Sequence, residues 1–175
     1  MNKIIIYGSQ YGTTKKYAEE LSKRTGLQAI PFEEINNIND YETIIYLGVL
    51  YAGGVLGLAK TFKKLNNIDN KKFIVVTVGL ADSTNEENTT NIKNGIKRQI
   101  TQDILDRTKI FHLRGGIDYS RLNFTHKTMM SLLYKKAKNL PEEKKNAEIK
   151  AMIDTYNQKV DFIDFSSLEN IISEI

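Results

Sequence analysis

Short apolar runs alternate along this chain with stretches in which apolar residues recur every three or four positions. That alternation is the first guide to its fold. Met1–Tyr7 (MNKIIIY) is mostly apolar and rich in β-branched residues, as expected of a strand buried on both faces. After the turn GSQYGTT, the segment KKYAEELSKRTG sets Tyr17, Ala18 and Leu21 on one helical face and places Gly26 to end the helix. Leu27–Ile30 is a short second strand, and Thr43–Leu47, closed by Gly48, is a third. Leu56–Leu65 aligns Leu58, Ala59, Phe62 and Leu65 on one face and reads as helix. Lys72–Val78 is a fourth strand, ending in Gly79. Thr90–Leu105 spaces Ile92, Ile96, Ile100 and Ile104 at steps of four, which predicts one helix. Lys109–Leu113 is a fifth strand, followed by Gly115 and Gly116.

Strands that alternate with helices of this length build βαβ units, so the expected class is α/β, a five-stranded, doubly wound parallel sheet with helices on both faces. After Gly116 the alternation breaks. Thr125–Asn139 and Glu142–Gln158 read as helices separated by Leu140-Pro141, a helical insertion at about residues 117–158. Lys159–Phe165 then reads as a short strand. Ser166–Ile175 closes the chain as a helix with Leu168, Ile171, Ile172 and Ile175 on one face and Ser166 or Ser167 as its N-cap. No repeat or linker interrupts the chain, so residues 1–175 are read as one domain.

Composition narrows the chemistry. The chain has 175 residues, enough for one core, and contains no cysteine. Disulfides, thiolate metal sites, cysteine-held clusters and a cysteine nucleophile are therefore excluded. With no signal peptide at Met1–Tyr7, the expected compartment is a reducing cytoplasm. The longest apolar runs, Ile44–Val49 and Phe73–Leu80, are too short to span a membrane. The net charge of +4 suits an anionic partner, including peripheral contact with a membrane surface. The lysines are scattered and no nucleic-acid signature accompanies them. His112 and His126 lie on different elements with no neighbouring ligand set, so no metal site is expected. No G-x-S-x-G elbow and no carboxylate cluster at the first strand's end is present, against a serine hydrolase and a receiver domain.

The segment Gly8-Ser9-Gln10-Tyr11-Gly12-Thr13-Thr14 follows a buried strand and opens a helix. Amides of a first helical turn have no internal acceptor, and the helix dipole adds positive potential, so a phosphate dianion satisfies both. Gly12 permits close backbone approach, and Ser9, Thr13 and Thr14 offer hydroxyls. Only three residues separate Gly8 from Gly12, which excludes a P-loop, and no G-x-G-x-x-G is present. The same residues also read as an ordinary strand-to-helix turn capped by a hydroxyl.

Strand–S-x-x-G-T-T–helix at the head of such a βαβ chain resembles the phosphate loop of the flavodoxin family. That resemblance covers essentially the whole chain and implies strand order 2-1-3-4-5, FMN as cofactor and an electron-transfer role. It assigns Ser9, Gln10, Tyr11, Gly12, Thr13 and Thr14 to the FMN phosphate. It also places Tyr51, Ala52, Gly53 and Gly54 of the loop after the third strand on one side of the flavin ring. Gly79, Leu80, Ala81 and Asp82, after the fourth strand, line its other edge. Tyr51 is a physically sensible ring partner and equally reads as a half-buried surface aromatic. Asp82-Ser83-Thr84 equally reads as a cap for the next helix. The second loop carries no aromatic, which leaves one flavin face open, or marks a domain that has lost flavin and serves as a binding module.

Leu113–Leu133 (LRGGIDYSRLNFTHKTMMSLL) and the closing DFIDFSSLE resemble the flavodoxin-type protoporphyrinogen oxidases that use menaquinone. That second resemblance implies an oxidoreductase with a quinone acceptor, and sets Gly115, Gly116, Asp118 and Tyr119 near the flavin. Met129, Met130, Leu132 and Leu133 read as a packing face rather than a porphyrin or quinone surface. Expected partners are a redox protein or a quinone-like acceptor. No side chain is required as acid or base.

Overall fold

A computed structural model describes residues 2–175, so Met1 of the first expected strand lies outside the described residues. The chain runs β1 (Lys3–Gly8), α1 (Thr13–Thr25), β2 (Ala29–Pro31), β3 (Thr43–Tyr51), β4 (Gly54–Val55), α2 (Leu58–Phe62), β5 (Lys72–Gly79) and α3 (Glu86–Lys97). It continues as α4 (Gln102–Leu105), β6 (Thr108–Arg114), β7 (Gly116–Asp118), α5 (Phe124–Lys138), α6 (Ala147–Asp154), β8 (Lys159–Asp161) and α7 (Glu169–Ile172). β2, β1, β3, β5 and β6 form a parallel sheet in that order, and β4 adds an antiparallel hairpin to the end of β3. With the hairpin strand set aside, this is the expected 2-1-3-4-5 order.

Alternation along the central strands explains the two-sided core. Ile4, Ile6, Ile44, Tyr46, Phe73 and Val75 point to one face, where α2 and α3 bring Leu58, Phe62, Ile92 and Ile96. Ile5, Ile45, Leu47, Ile74 and Val76 point to the other and meet Tyr17, Ala18 and Leu21 of α1 with Leu168 and Ile171 at the chain's end. No helix among the described residues is long and apolar enough to cross a membrane.

Four elements depart from the pattern. The expected helix over Thr90–Leu105 starts earlier, where Asn85 accepts from the Asn88 amide, and breaks into α3 and α4. Steps of four drift by about 40° per repeat on a helix of 3.6 residues per turn, so four isoleucines in one unbroken helix spread off a single face. The break restores Ile100 and Ile104 to the core. Helix α2 begins only at Leu58, because Leu56 still pairs with Val49 and Gly57 adopts φ 78°. The stretch Glu142–Gln158 is a single 3-10 turn at Glu142–Lys144 followed by α6, capped by Asn146. At the end of the chain Asp164, not Ser166 or Ser167, caps the turn, accepting from the Ser166 amide and hydroxyl at 2.9 and 2.7 Å.

The insertion leaves and returns through one gate. β7 and β8 pair antiparallel, Ile117 opposite Val160, and everything from Tyr119 to Gln158 projects beyond them. Stacked Tyr134 and Tyr156 rings, 3.9 Å apart and nearly parallel, hold α5 to the return segment, with the Tyr119 ring edge-on to Tyr156.

Candidate functional site

The site is assembled at the carboxyl ends of β1, β3 and β5, where a doubly wound sheet opens a crevice. α3, α5 and α6 are each capped by an asparagine whose side chain accepts an amide of the first turn. α1 is different. It opens on Gly12 at φ 94°, a left-handed conformation that glycine adopts without strain, and its first turn holds no acidic residue. Ser9 Oγ accepts from the Gly12 and Lys15 amides at 3.1 and 3.3 Å. The Thr13 and Thr14 amides, first in the helix, have no acceptor among the described residues. Thr14 is 1% exposed, and its hydroxyl oxygen is buried with no hydrogen-bond partner. An orphaned hydroxyl and two free amides at an uncompensated helix head form a cradle for an anion, and a phosphate fits it. The capping reading of this turn is also realised, by Ser9, whose hydroxyl hydrogen remains free to donate.

Gly115 closes the floor beside this cradle. Its amide donates to the Gly79 carbonyl at 2.7 Å, and a Cβ there would stand 3.0 Å from Thr13 Cγ2.

The second predicted contact group is a hairpin. Tyr51 ends β3, and Ala52 and Gly53, at φ 50° and 77°, turn the chain into Gly54. Two consecutive positive φ values make a two-residue turn of the kind that matches strand twist. Gln99 holds the hairpin from the α3–α4 break: Val55 N donates to its Oε1 at 2.7 Å, and its Nε2 donates to the Val55 carbonyl at 3.0 Å. Because Val55 is buried, Gln99→Ala leaves an amide without an acceptor. The expected cost is about 1–2 kcal/mol, together with faster hydrogen exchange at Val55, read by denaturation and by exchange at that amide. A cleft of about 260 Å³ lies between the hairpin and α3, lined by Asn91, Asn94, Arg98 and neighbours; of the predicted contacts only Gly53 and Gly54 border it.

In the third group, Leu80 lends its carbonyl to Arg114 Nη2 and Nε at 2.9 and 3.2 Å. Ala81 is buried. The Asp82 carboxylate accepts from the Thr84 amide and hydroxyl, both at 2.8 Å, and these bonds hold its pKa below the usual value. Asp82 therefore orders its own turn while Asn85 caps the helix. The carboxylate is committed locally, and the backbone from Gly79 to Ala81 forms this rim.

His126, set aside as a metal ligand in the sequence, stands at the centre of the site. It lies in the first turn of α5 and reaches back across the chain. Tyr11 Oη accepts from the Asn123 amide at 3.3 Å and is hydrogen-bonded to His126 Nδ1, while His126 Nε2 lies 3.4 Å from Tyr51 Oη. The imidazole is thus bracketed by two phenol hydroxyls, one at each ring nitrogen. Both rings meet the imidazole edge-on, at 5.5 and 6.1 Å between centroids. The phosphate-loop tyrosine and the hairpin tyrosine are thus joined by the insertion. Tyr51 remains 37% exposed. Gly116, Asp118 and Tyr119 belong to the ribbon and its first turn instead: a Cβ on Gly116 would meet the Val160 carbonyl at 2.5 Å, and Asp118 accepts from Ser120. Among the described residues no cluster of His, Asp and Glu is arranged to hold a metal.

Residues 4–144 match the family model described as a flavodoxin domain. The match is to the family and does not extend to the protoporphyrinogen oxidase subgroup that Leu113–Leu133 resembles. The chain matches none of the curated proteins. Among solved structures, it is similar to a Fusobacterium nucleatum flavodoxin mutant bound to flavin mononucleotide, at 15% identity and TM-score 0.45, over 67% of this chain and 77% of that one. A Lactobacillus acidophilus flavoprotein in complex with FMN is similar at 14% identity and TM-score 0.42, over 65% and 91%. Oxidised flavodoxin 2 from Bacillus cereus is similar at 15% identity and TM-score 0.35, over 88% and 94%.

Proposed function

The chain belongs to the flavodoxin family, and on that footing we propose that it binds FMN at the head of α1 and serves as an electron-transfer protein. The observation that carries the reading is the Thr14 hydroxyl, buried without a partner beside the unclaimed amides of Thr13 and Thr14. When bound, FMN supplies the redox chemistry, taking up and returning electrons. The chain's part is to hold and shield it. Thr13, Thr14 and the Ser9 hydroxyl face the phosphate, with no side-chain charge needed. Tyr51, kept in place by the Gln99 clamp, offers a flat surface to one side of the ring, and the Gly79–Ala81 backbone borders the other edge. His126 and Tyr11 brace Tyr51 and screen that side from water. The partner that would exchange electrons with the bound cofactor is a redox protein or a quinone-like acceptor, and no side chain need act as acid or base.

The test is the visible spectrum of the purified protein before and after loading with excess FMN and filtration. Bands near ~375 and ~450 nm, with FMN released on denaturation, are the expected result. A colourless protein that takes up no FMN overturns the reading and leaves a flavodoxin-shaped binding module.

A further inference from the structure

We propose that α5 seats this protein on an anionic phospholipid surface. α5 is the longest helix, yet its only buried residue is Ala137. Three of the four exposed large apolar side chains in the described protein lie on it: Phe124 at 85%, Leu132 at 63% and Leu133 at 43%. Leu132 and Leu133 continue a stripe from half-buried Met129 at spacings of three and four, and Phe124 stands two turns before Leu132.

The charge around this face is one-sided. Between Tyr119 and Pro141 the sequence holds five Lys and Arg residues and no Asp or Glu. The whole chain carries 25 basic against 21 acidic residues, so this segment holds the entire excess and the remainder has a net charge of −1. None of the five forms an ion pair among the described residues, although seven ion pairs occur elsewhere.

An exposed apolar stripe flanked by unpaired cations such as Lys135 and Lys136 matches a helix lying in the plane of a membrane interface. There the headgroups take the ammonium groups and the acyl boundary takes Phe124 and Leu132. A second copy of the chain satisfies the apolar face but brings like charges together. The inner side of the same helix carries His126 to Tyr11 and Tyr51, so a surface held by α5 lies beside the candidate site. The proposal does not depend on the flavin reading, since α5 is formed by the chain alone.

The experiment is co-sedimentation of the purified full chain with vesicles of phosphatidylglycerol and phosphatidylcholine in equal parts, and with phosphatidylcholine alone. Binding to the anionic vesicles is expected to be at least about tenfold tighter and to fall steeply with added salt. Leu132→Ser with Leu133→Ser is expected to weaken it about tenfold or more. Lys135→Glu with Lys136→Glu is expected to abolish the preference for anionic lipid. All four side chains are exposed, so FMN uptake and melting temperature should stay at wild-type values; the salt dependence of the wild-type chain needs no variant at all. Equal binding to both vesicle types, or a double-serine variant that sediments as wild type does, overturns the proposal. A concentration-dependent dimer dissolved by the serine substitutions assigns the face to a second copy and also overturns it.

Discussion

Thr14→Val is expected to stabilise the cofactor-free protein while weakening its hold on FMN by roughly 10- to 100-fold. The two effects have one cause. Thr14 is 1% exposed and its hydroxyl has no partner, so the folded chain bears the desolvation of a polar group with no hydrogen bond in return. Valine has nearly the same shape and no hydroxyl. Its introduction should gain about 1–2 kcal/mol, a rise of roughly 2–6 °C in melting temperature for a chain of this length. In the proposed FMN complex the same hydroxyl would donate to a phosphate dianion, and a charge-assisted bond of about 1.5–3 kcal/mol would be lost in the variant. Thr14→Ser keeps the donor and should stay within a few-fold of wild type. Calorimetric titration with FMN and thermal melts of the apoprotein read the two halves separately. A Thr14→Val protein that binds FMN as tightly as wild type would move the phosphate away from this hydroxyl. Such opposed signs are characteristic of a binding group that the fold keeps at a cost to its stability.

The parts of this protein that were legible in its sequence are those fixed by short-range pattern. β1, β3 and β5 carry runs of Ile, Val, Leu and Phe because they are covered on both faces, and the glycine that follows each short run marks it as a strand. The cradle was legible for a similar reason: a glycine and two threonines between a strand and a helix already specify its backbone chemistry. The hairpin was not, because its second strand has two residues and the first turn position is Ala52, which lacks the usual preference for positive φ. Nor was the bridge from Tyr11 through His126 to Tyr51. Its members are separated by 115 and 75 positions, and nothing in local periodicity reports a contact made only after the insertion folds back. The break between α3 and α4 lay hidden behind a regular step of four. Its visible sign was Gln99, a polar residue beside Ile100, whose role depends on a strand edge over forty residues away.

The second histidine carries the other large expectation. His112 pairs with Thr77 across β5 and β6, its Nδ1 2.7 Å from the Thr77 hydroxyl, while its Nε2 is buried with no partner. One ring nitrogen is therefore satisfied within the sheet and the other is not. Burial, with a smaller contribution from Lys93, pushes its pKa down to about 4 from 6.5. The imidazole is neutral in the folded protein, and in the unfolded chain it takes up a proton near its ordinary value. Between those two values the unfolded state binds more protons, so stability increases with pH. The contribution is fully present above pH 6.5 and is lost as pH falls towards about 4. A shift of this size corresponds to about 3 kcal/mol, and the partial exposure of His112 reduces that to roughly 2–3 kcal/mol. Much of the loss falls above pH ~5, before the carboxylates begin to take up protons. Urea unfolding near pH 7 and near pH 5 should then show wild type losing about 1.5–2 kcal/mol. His112→Gln keeps a polar partner for Thr77 without a titrating ring, and should lose much less over the same interval. If the variant and wild type weaken in parallel, the proton is not being excluded at His112, and the slope belongs to the acidic groups of the surface.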